Sequence, residues 1–440
     1  MAILKDKDLI CENLTVDSND NLRFANVNVS DMAKKFGTPL YLFDENRIRN
    51  NVQVYKDALS KNFGDKGITL YASKAFSCKR IYEIMKEEGS FIDVVSCGEI
   101  ATAKKAGFNL EHAFFHSNNK TDEDIVYAIT NSVGVFVVDT KEELIAIDQI
   151  ANKLGKIQNV LLRLTPGIDP HTYEAVATGK IDSKFGFSID TGAAEEITAF
   201  AITLKNVSLL GFHCHVGSQV FDSDVYMQTA DIMVGFMNLV KEKYDFTTKI
   251  LDLGGGYGVR YTKDDPTIDI AANIYQVSNK LKSLFAKFNL ETPCVCLEPG
   301  RSIVADACLT VYTVGSVKEI KGYKTYVSVD GGMTDNPRFA LYGSKYTVLP
   351  AKNLSYKRDM LCTIAGRCCE SGDIIQENVL MPKDIKRGDY VCVLTTGAYN
   401  YSMASNYNRL PRPAVVMIKD KTPYIAVKRE TFDDITRLDV

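Results

Sequence analysis

The sequence predicts an α/β protein with a (β/α)8 TIM-like barrel and a separate C-terminal β domain. Between residues 68 and 297, short β-branched or aromatic runs alternate with helix-like stretches, which is typical of repeated β-α units. After Glu298 the β-like runs are instead separated by Gly, Pro and Asp turns, with few helical stretches. A length of 440 residues fits a large barrel with an extension. An open, doubly wound sheet stays an alternative, because a local pattern does not show closure.

The alternating region contains eight candidate strands, and helix-like stretches lie between most of them. The strands are Ile68–Ala72, Phe91–Val95, Ala113–His116, Gly134–Val138, Asn159–Leu164, Val207–His213, Ile250–Leu253 and Pro293–Leu297. The helix-like stretches include Asp122–Thr130, Lys141–Leu154 and Asp224–Tyr244. The later β-like runs are Val311–Val314, Thr325–Val329, Asp389–Leu394 and Tyr424–Val427.

These runs divide the chain into three predicted parts. Residues 1–36 form an N-terminal segment that joins the β domain, to which Leu22–Val29 could supply a strand. Residues 37–305 form the barrel, and residues 306–440 form a C-terminal β-sandwich or β-barrel domain.

Composition excludes several classes of partner. Lys+Arg 52 against Asp+Glu 55 gives a net charge of −3, and no Lys/Arg run stands out, so we predict no nucleic-acid and no membrane partner. The charged N-terminal sequence is unlike a signal peptide, and no apolar run has membrane-spanning length. Eleven scattered cysteines without a Cys-x-x-Cys spacing favour reduced thiols in the cytoplasm over a disulfide scaffold or a zinc ribbon.

A glycine turn follows the seventh candidate strand. The apolar run Ile250–Leu253 ends in Gly254, Gly255 and Gly256, where backbone N–H groups can converge on an anion such as a phosphate. The turn does not match the dinucleotide fingerprint, because Val259 stands where its last glycine would fall, and no Gly-Lys-Ser/Thr follows. A tight turn without a ligand is the alternative.

Polar residues follow other candidate strands, which is where barrels place catalytic groups. Lys74, just after the first strand, could form a Schiff base if its ammonium is partly desolvated, although a surface lysine is the alternative. Because side chains alternate along a strand, His213 and His215 are expected on the same face. They could be core histidines or metal ligands. Alternatively, an imidazole contacts an aromatic cofactor and Ser218 reaches the phosphate of that cofactor. No third metal-type ligand is evident nearby, so we predict no metal.

The eighth candidate strand is followed by Glu298-Pro299-Gly300-Arg301. The carboxylate and the guanidinium could pair with each other. Alternatively, Glu298 faces a ring nitrogen and Arg301 a phosphate or carboxylate.

Together these motifs resemble, in order and over nearly the whole chain, the group IV pyridoxal-phosphate decarboxylases, which combine an alanine-racemase-like barrel with a β domain. The resemblance implies pyridoxal 5'-phosphate as cofactor. Lys74 would carry its covalent link, His215 would stack on its ring, Glu298 would face its pyridine nitrogen, and Arg301 would contact cofactor or substrate. Its phosphate would be held by Ser218, Gly254, Gly255, Gly256 and Tyr399, and Pro299 and Gly300 complete the cofactor-binding set.

The resemblance also implies a substrate and a homodimer. Cys369 would be the proton donor, on a segment that crosses the dimer interface to complete the partner's site. Glu370 would bind a distal amino group, Arg338 and Tyr342 a distal carboxylate, and Arg301 and Tyr399 would also contact substrate. This set suits meso-2,6-diaminopimelate, which would yield L-lysine and carbon dioxide in the last step of lysine biosynthesis.

Other readings stay open at this point. An ornithine or lysine decarboxylase, an amino-acid racemase and a non-catalytic cofactor-binding homologue are the alternatives. The stretch from Thr178 to Gly186 also fits the family, whereas Phe76 and Phe339 depart from its common pattern.

Overall fold

The computed structural model describes residues 9–168 and 184–440, which separate into two compact units. The barrel unit comprises the described residues of Asn51–Gly258 together with Thr267–Ser302. The β unit comprises the described chain up to Asn50, Val259–Pro266 and Ile303–Val440. Each unit has hydrophobic clusters of its own.

The described chain begins with short elements. They are β1 (Leu14–Val16), β2 (Leu22–Phe24), β3 (Val27–Asn28), α1 (Val29–Phe36), β4 (Leu40–Asp44) and α2 (Glu45–Phe63). Strands β1 to β3 pair antiparallel in a three-stranded sheet of their own. The predicted single strand Leu22–Val29 was therefore wrong. Ala25 and Asn26 have φ angles of 47° and 64°, so the chain reverses there in a tight hairpin instead of continuing as one strand.

Strands of the barrel unit alternate with helices along the chain. The strands are β5 (Gly67–Ala72), β6 (Phe91–Val94), β7 (Ala113–Phe115), β8 (Val135–Val138), β9 (Gln158–Thr165), β10 (Phe187–Ser188), β11 (Val207–His213), β12 (Ile250–Asp252) and β13 (Cys294–Leu297). The helices are α3 (Lys79–Glu87), α4 (Cys97–Lys105), α5 (Asp122–Thr130), α6 (Lys141–Lys153), α7 (Ala193–Thr203), α8 (Ser223–Tyr244) and α9 (Ile270–Lys287).

Eight of these strands close into a parallel barrel. The order β9-β11-β12-β13-β5-β6-β7-β8 is completed by pairing of β8 with β9, in register from Val135↔Asn159 to Val138↔Leu162. The short β10 lies beside β9. The predicted barrel is confirmed, and the β8–β9 pairing excludes an open sheet. Apolar side chains fill its interior, among them Leu70, Phe114, Val137 and Leu161.

The β unit is completed by the C-terminal elements. After α10 (Arg301–Val304), whose residues Arg301 and Ser302 belong to the barrel unit, they are β14 (Cys308–Ile320), β15 (Lys324–Val329), α11 (Arg338–Tyr342), β16 (Val348–Pro350), β17 (Arg358–Ala365), β18 (Ile374–Pro382), β19 (Tyr390–Leu394), β20 (Ala414–Lys419), β21 (Thr422–Val427) and α12 (Phe432–Thr436). Their mixed nine-stranded sheet runs β18-β17-β15-β14-β4-β20-β21, and β19 pairs with both β14 and β16. The strand that precedes the barrel and joins this sheet is thus β4, not Leu22–Val29.

Two further observations concern the whole described chain. None of its helices is both long and apolar enough to cross a membrane. All eleven cysteines are free thiols.

Candidate active site

The polar residues predicted from strand ends gather at the carboxyl end of the barrel. Lys74 lies in the 3-10 turn after β5, His213 closes β11 with His215 two residues on, and Glu298 directly follows β13. The backbone N–H of Ala72 donates to the carbonyl of Pro299 at 3.0 Å, which joins the segment before Lys74 to the one after Glu298. This end is where barrel enzymes place their chemistry.

The glycine turn after β12 is packed so closely that it excludes side chains. A Cβ atom would lie 2.6 Å from the carbonyl oxygen of Cys214 if added to Gly254, and 2.1 Å from that of Glu298 if added to Gly255. At Gly256 it would lie 2.3 Å from the carbonyl oxygen of Gly217. Gly254 and Gly256 also have φ angles of +68° and +120°. The three glycines, hereafter the glycine cradle, are therefore required by the backbone geometry.

Two predicted phosphate contacts lie together in the barrel unit. The Arg301 guanidinium donates to Ser218 Oγ from Nε at 3.1 Å and from Nη2 at 3.0 Å. Arg301 therefore contacts Ser218 and does not form the pair with Glu298 that the sequence left open. The backbone N–H of Gly255 donates to Nδ1 of His215 at 3.3 Å, which joins this histidine to the glycine cradle.

Glu298 is buried between two histidines. Its Oε2 lies 3.1 Å from Nε2 of His213, in a hydrogen bond, and its Oε1 lies 2.8 Å from Nε2 of His116. The second contact lacks hydrogen-bond alignment, so within the described chain Oε1 has no hydrogen-bond partner. Burial alone would raise the pKa of this carboxyl, but the two imidazoles outweigh it and hold the pKa well below its usual range. Glu298 is thus an anion with one unsatisfied oxygen.

Burial lowers the pKa of two histidines at the barrel mouth, His213 and His215. Burial lowers the pKa of His213, against the opposing effect of Glu298, so it binds the carboxylate as a neutral donor. Burial, reinforced by Lys74 and Arg163, lowers the pKa of His215 well below its usual value. A neutral His215 suits stacking on an aromatic ring.

His116, His213 and Glu298 also form a set of metal-type ligands. One ligand atom from each lies within 4.8 Å of the other two, so the sequence-based conclusion that no third such ligand is nearby was wrong. The side chains contact one another directly, at 2.8 and 3.1 Å. Such direct contact favours a carboxylate paired with two imidazoles over a metal centre.

Two more carboxyl groups surround Glu298. Burial raises the pKa of Asp93 to about 6, with His116 opposing and Glu298 adding to the rise. Burial and the charge of Glu298 raise the pKa of Asp252 well above its usual value. Glu298 therefore carries negative charge at the barrel mouth in preference to Asp252, whereas Asp93 is ionised only above about pH 6. Lys74 is exposed, between the buried Ser73 and Ala75.

The remaining predicted site residues lie in the β unit. The guanidinium of Arg338, which is 7% exposed, lies 5.2 Å from the ring centres of both Tyr342 and Tyr399. Cys369 and Glu370 are exposed. Hydrogen bonds to a buried carboxylate hold their loop in place, because Asp373 accepts from the backbone N–H groups of Met333 at 2.6 Å and Cys368 at 2.7 Å. The N–H of Cys369 itself donates to Asn408 Oδ1 at 2.7 Å.

The sequence analysis missed part of this site. His116 was noted only as the end of a strand, and Asp93 only inside one, yet both stand at carboxyl ends of barrel strands. The rule that selected Lys74 and Glu298 could have selected them too. Of the stretch that fits the family between Thr178 and Gly186, residues 178–183 lie outside the described residues.

The residues at the barrel mouth fit pyridoxal phosphate. The glycine cradle lies at the barrel mouth, and in the same unit Arg301 and Ser218 supply donors that suit a phosphate. The unsatisfied Oε1 of Glu298 is an anionic acceptor suited to a protonated ring nitrogen.

Comparison with known proteins agrees with this chemistry. Residues 45–305 match the family model described as pyridoxal-dependent decarboxylase, pyridoxal binding domain. The chain is 41% identical to a diaminopimelate decarboxylase of Bacillus subtilis over 96% of both sequences. It is also 41% identical to one of Staphylococcus aureus, covering 95% of this chain and 98% of that one.

A solved structure agrees over the full length. The crystal structure of a diaminopimelate decarboxylase from M. jannaschii superposes with a TM-score of 0.89 at 30% identity, covering 98% of each chain. Pyridoxal phosphate is thus the cofactor, as predicted. The chain belongs to the diaminopimelate decarboxylase family of pyridoxal-dependent decarboxylases.

Proposed function

We propose that this chain converts meso-2,6-diaminopimelate to L-lysine and carbon dioxide. The observation that carries the proposal is Glu298, a buried anion with one unsatisfied oxygen beside the glycine cradle. Pyridoxal phosphate, when bound, supplies the electron sink that loss of carbon dioxide requires. By accepting a hydrogen bond at Oε1, Glu298 would keep the ring nitrogen of the cofactor protonated, and this would maintain the electron sink.

The other barrel residues bind and orient. Lys74, which is exposed at the barrel mouth, would hold the cofactor covalently through its amine. Neutral His215 presents an uncharged ring for stacking. Arg301 and Ser218, already hydrogen-bonded, contribute donors to the phosphate.

The β-unit residues recognise substrate and supply a proton. The distal end of diaminopimelate carries an ammonium and a carboxylate. Glu370 offers an exposed carboxylate for the first, and Arg338 a buried guanidinium for the second. Ornithine and lysine have no distal carboxylate and would leave that guanidinium unpaired, which disfavours them. Cys369 delivers the proton that replaces the departing carboxylate.

A substrate panel tests the proposal. The purified enzyme, supplied with pyridoxal phosphate, is assayed for carbon dioxide release from diaminopimelate, lysine, ornithine and arginine. We expect diaminopimelate to have the highest kcat/KM, with lysine as its product. A higher kcat/KM for ornithine would contradict the substrate assignment, and racemisation without carbon dioxide release would contradict the reaction.

We also propose a homodimer whose sites are shared, so that Cys369 serves the partner's cofactor. The exposure of Cys369 and Glu370 on an internally fixed loop supports this. Lys74→Ala and Cys369→Ala, each inactive alone, are denatured together, refolded and assayed. Random pairing restores about a quarter of wild-type activity if the sites are shared, because half of the dimers then contain one intact site. No recovery would assign both residues to the same chain's site.

A cytoplasmic location is part of the proposal. Eleven free thiols are typical of a reducing compartment. Titration of the freshly extracted, denatured protein with a thiol reagent is expected to find all eleven, and disulfide-linked peptides would contradict the location.

A further inference from the structure

The hydroxyl of Tyr226 is buried and unsatisfied. Tyr226 lies in the first turn of α8, is 2% exposed, and stacks on Tyr257 with ring centres 4.5 Å apart. Within the described residues its hydroxyl has no hydrogen-bond partner. The hydroxyls of two neighbouring tyrosines do have hydrogen-bond partners. That of Tyr257 donates to Asn273 Oδ1 at 2.8 Å, and that of Tyr55 lies 2.7 Å from the hydroxyl of Ser302. Tyr226 therefore stands out within its own aromatic cluster.

This hydroxyl borders the glycine cradle. A Cβ atom on Gly256 would lie 3.2 Å from the Tyr226 oxygen, so the phenol approaches the cradle at the glycine with φ +120°. Burial, with Tyr257 and Tyr55 adding to it, raises the pKa of Tyr226 well above its usual value. The group is therefore a neutral O–H donor throughout the physiological pH range.

A buried hydroxyl without a partner is costly unless a ligand satisfies it. The ligand group that the cradle fits is a phosphate, which offers several anionic acceptor oxygens. Nothing predicted from the sequence assigns a role to Tyr226.

We propose that Tyr226 donates a hydrogen bond to the phosphate of the cofactor, as a binding residue additional to the glycine cradle, Ser218 and Arg301. The inference rests on the proposed function in one respect, namely that pyridoxal phosphate occupies this mouth. It adds to the phosphate site a donor on α8, an element outside the strand-end loops.

The test compares two ligands that differ only in the phosphate. Apoenzyme is prepared from wild type, Tyr226→Phe and the matched control Tyr257→Phe, and dissociation constants are measured for pyridoxal phosphate and for pyridoxal. Tyr226→Phe is expected to weaken binding of pyridoxal phosphate roughly tenfold, because a hydrogen bond to a charged group is lost, and to leave pyridoxal binding unchanged. Tyr257→Phe, whose hydroxyl already has a protein partner, is expected to show no such phosphate-selective loss.

Thermal denaturation of the apoenzymes supplies a second measurement. Tyr226→Phe removes an unsatisfied group, so its apo form is expected to melt no lower than wild type, whereas Tyr257→Phe loses a hydrogen bond and melts lower. Unchanged affinity of Tyr226→Phe for pyridoxal phosphate, or an equal loss for both ligands, would overturn the inference. Wild-type protein that binds neither ligand would instead overturn the proposed function.

Discussion

The barrel unit and the β unit present their candidate groups in different states. Glu298 and Arg301 in the barrel unit are 7% and 6% exposed, and each is hydrogen-bonded within that unit. In the β unit, Cys369 and Glu370 are exposed on a loop whose backbone N–H groups are bound by Asp373 and Asn408. The difference teaches that the barrel groups proposed to bind the cofactor are preorganised within one unit, whereas the proposed proton donor needs a further surface to exclude water from it.

Replacing Lys74 is the strongest way to break the barrel side of this comparison. We expect Lys74→Ala to have a kcat that is lower by roughly a thousandfold or more. Alanine has no amine with which to make the covalent link to the cofactor that is proposed for Lys74. Borohydride reduction followed by peptide mass spectrometry should find cofactor on the Lys74 peptide of wild type. Cofactor on another lysine of the wild-type protein would refute the assignment.

Replacing Cys369 tests the β side alone. Cys369→Ala should lower kcat by about 10²–10⁴-fold, the usual contribution of a positioned acid. Its dissociation constant for pyridoxal phosphate should stay that of wild type, because the substitution alters none of the residues proposed to bind the cofactor. A matched Cys368→Ala variant, which alters the buried neighbour, should retain most of the activity. Equal losses in both variants would point to a structural role for the loop.

Replacing Arg338 separates substrate selection from chemistry. Arg338→Met should lower kcat/KM for diaminopimelate roughly 10–100-fold, since one charge-assisted interaction is lost. Slow turnover of lysine, which lacks the distal carboxylate, should be unaffected or improved. Arg338→Lys keeps the positive charge but lacks the planar guanidinium. Its kcat/KM for diaminopimelate should therefore lie between that of wild type and that of Arg338→Met. A parallel loss for both substrates would remove Arg338 from the distal site.

Replacing Asp93 is expected to change stability and not catalysis, with a defined pH dependence. The pKa of Asp93 is raised from 3.8 to about 6, mainly by burial, so its charged form is disfavoured in the folded protein. The resulting loss of folding stability is absent below pH 3.8, grows between pH 3.8 and pH 6, and reaches its full value above pH 6. At about 1.36 kcal/mol per pKa unit, Asp93→Asn should stabilise the apoenzyme by up to about 3 kcal/mol at pH 7.5.

Thermal melts of the two apoenzymes across this pH range check the Asp93 prediction. The variant should melt several degrees higher at pH 7.5, and the difference should shrink steadily as the pH is lowered towards 4. A difference that does not vary with pH would show that charge at Asp93 is not the cause.

Local signals predicted the barrel and only part of the β unit. Helix α5 was predicted with its observed bounds, and in the structure a capping box between Thr121 and Asp124 stabilises its start. Strand β4 was missed, because its partners β14 and β20 begin only at Cys308 and Ala414, and no local pattern indicates pairing over such distances.

The site was predictable to a similar extent. Lys74, His215, the glycine cradle and Glu298 each carry a motif at a strand end. His116 carries no motif, and its contact with Glu298 depends on the register that brings β7 and β13 into one barrel. The unsatisfied hydroxyl of Tyr226 depends on packing alone, which a sequence pattern does not encode.

Strand β4 also has a consequence for synthesis on the ribosome. All five of its residues are buried, and it lies between β14 and β20, which are made only after the entire barrel. At 5–20 residues per second, Leu40–Asp44 waits roughly 20–70 s for Ala414–Lys419 to be translated. During that interval β4, which is buried in the folded protein, has no partner strands. We therefore expect chaperones that shield exposed strands to bind the nascent chain. The barrel, complete by residue 302, can fold while β4 is still waiting.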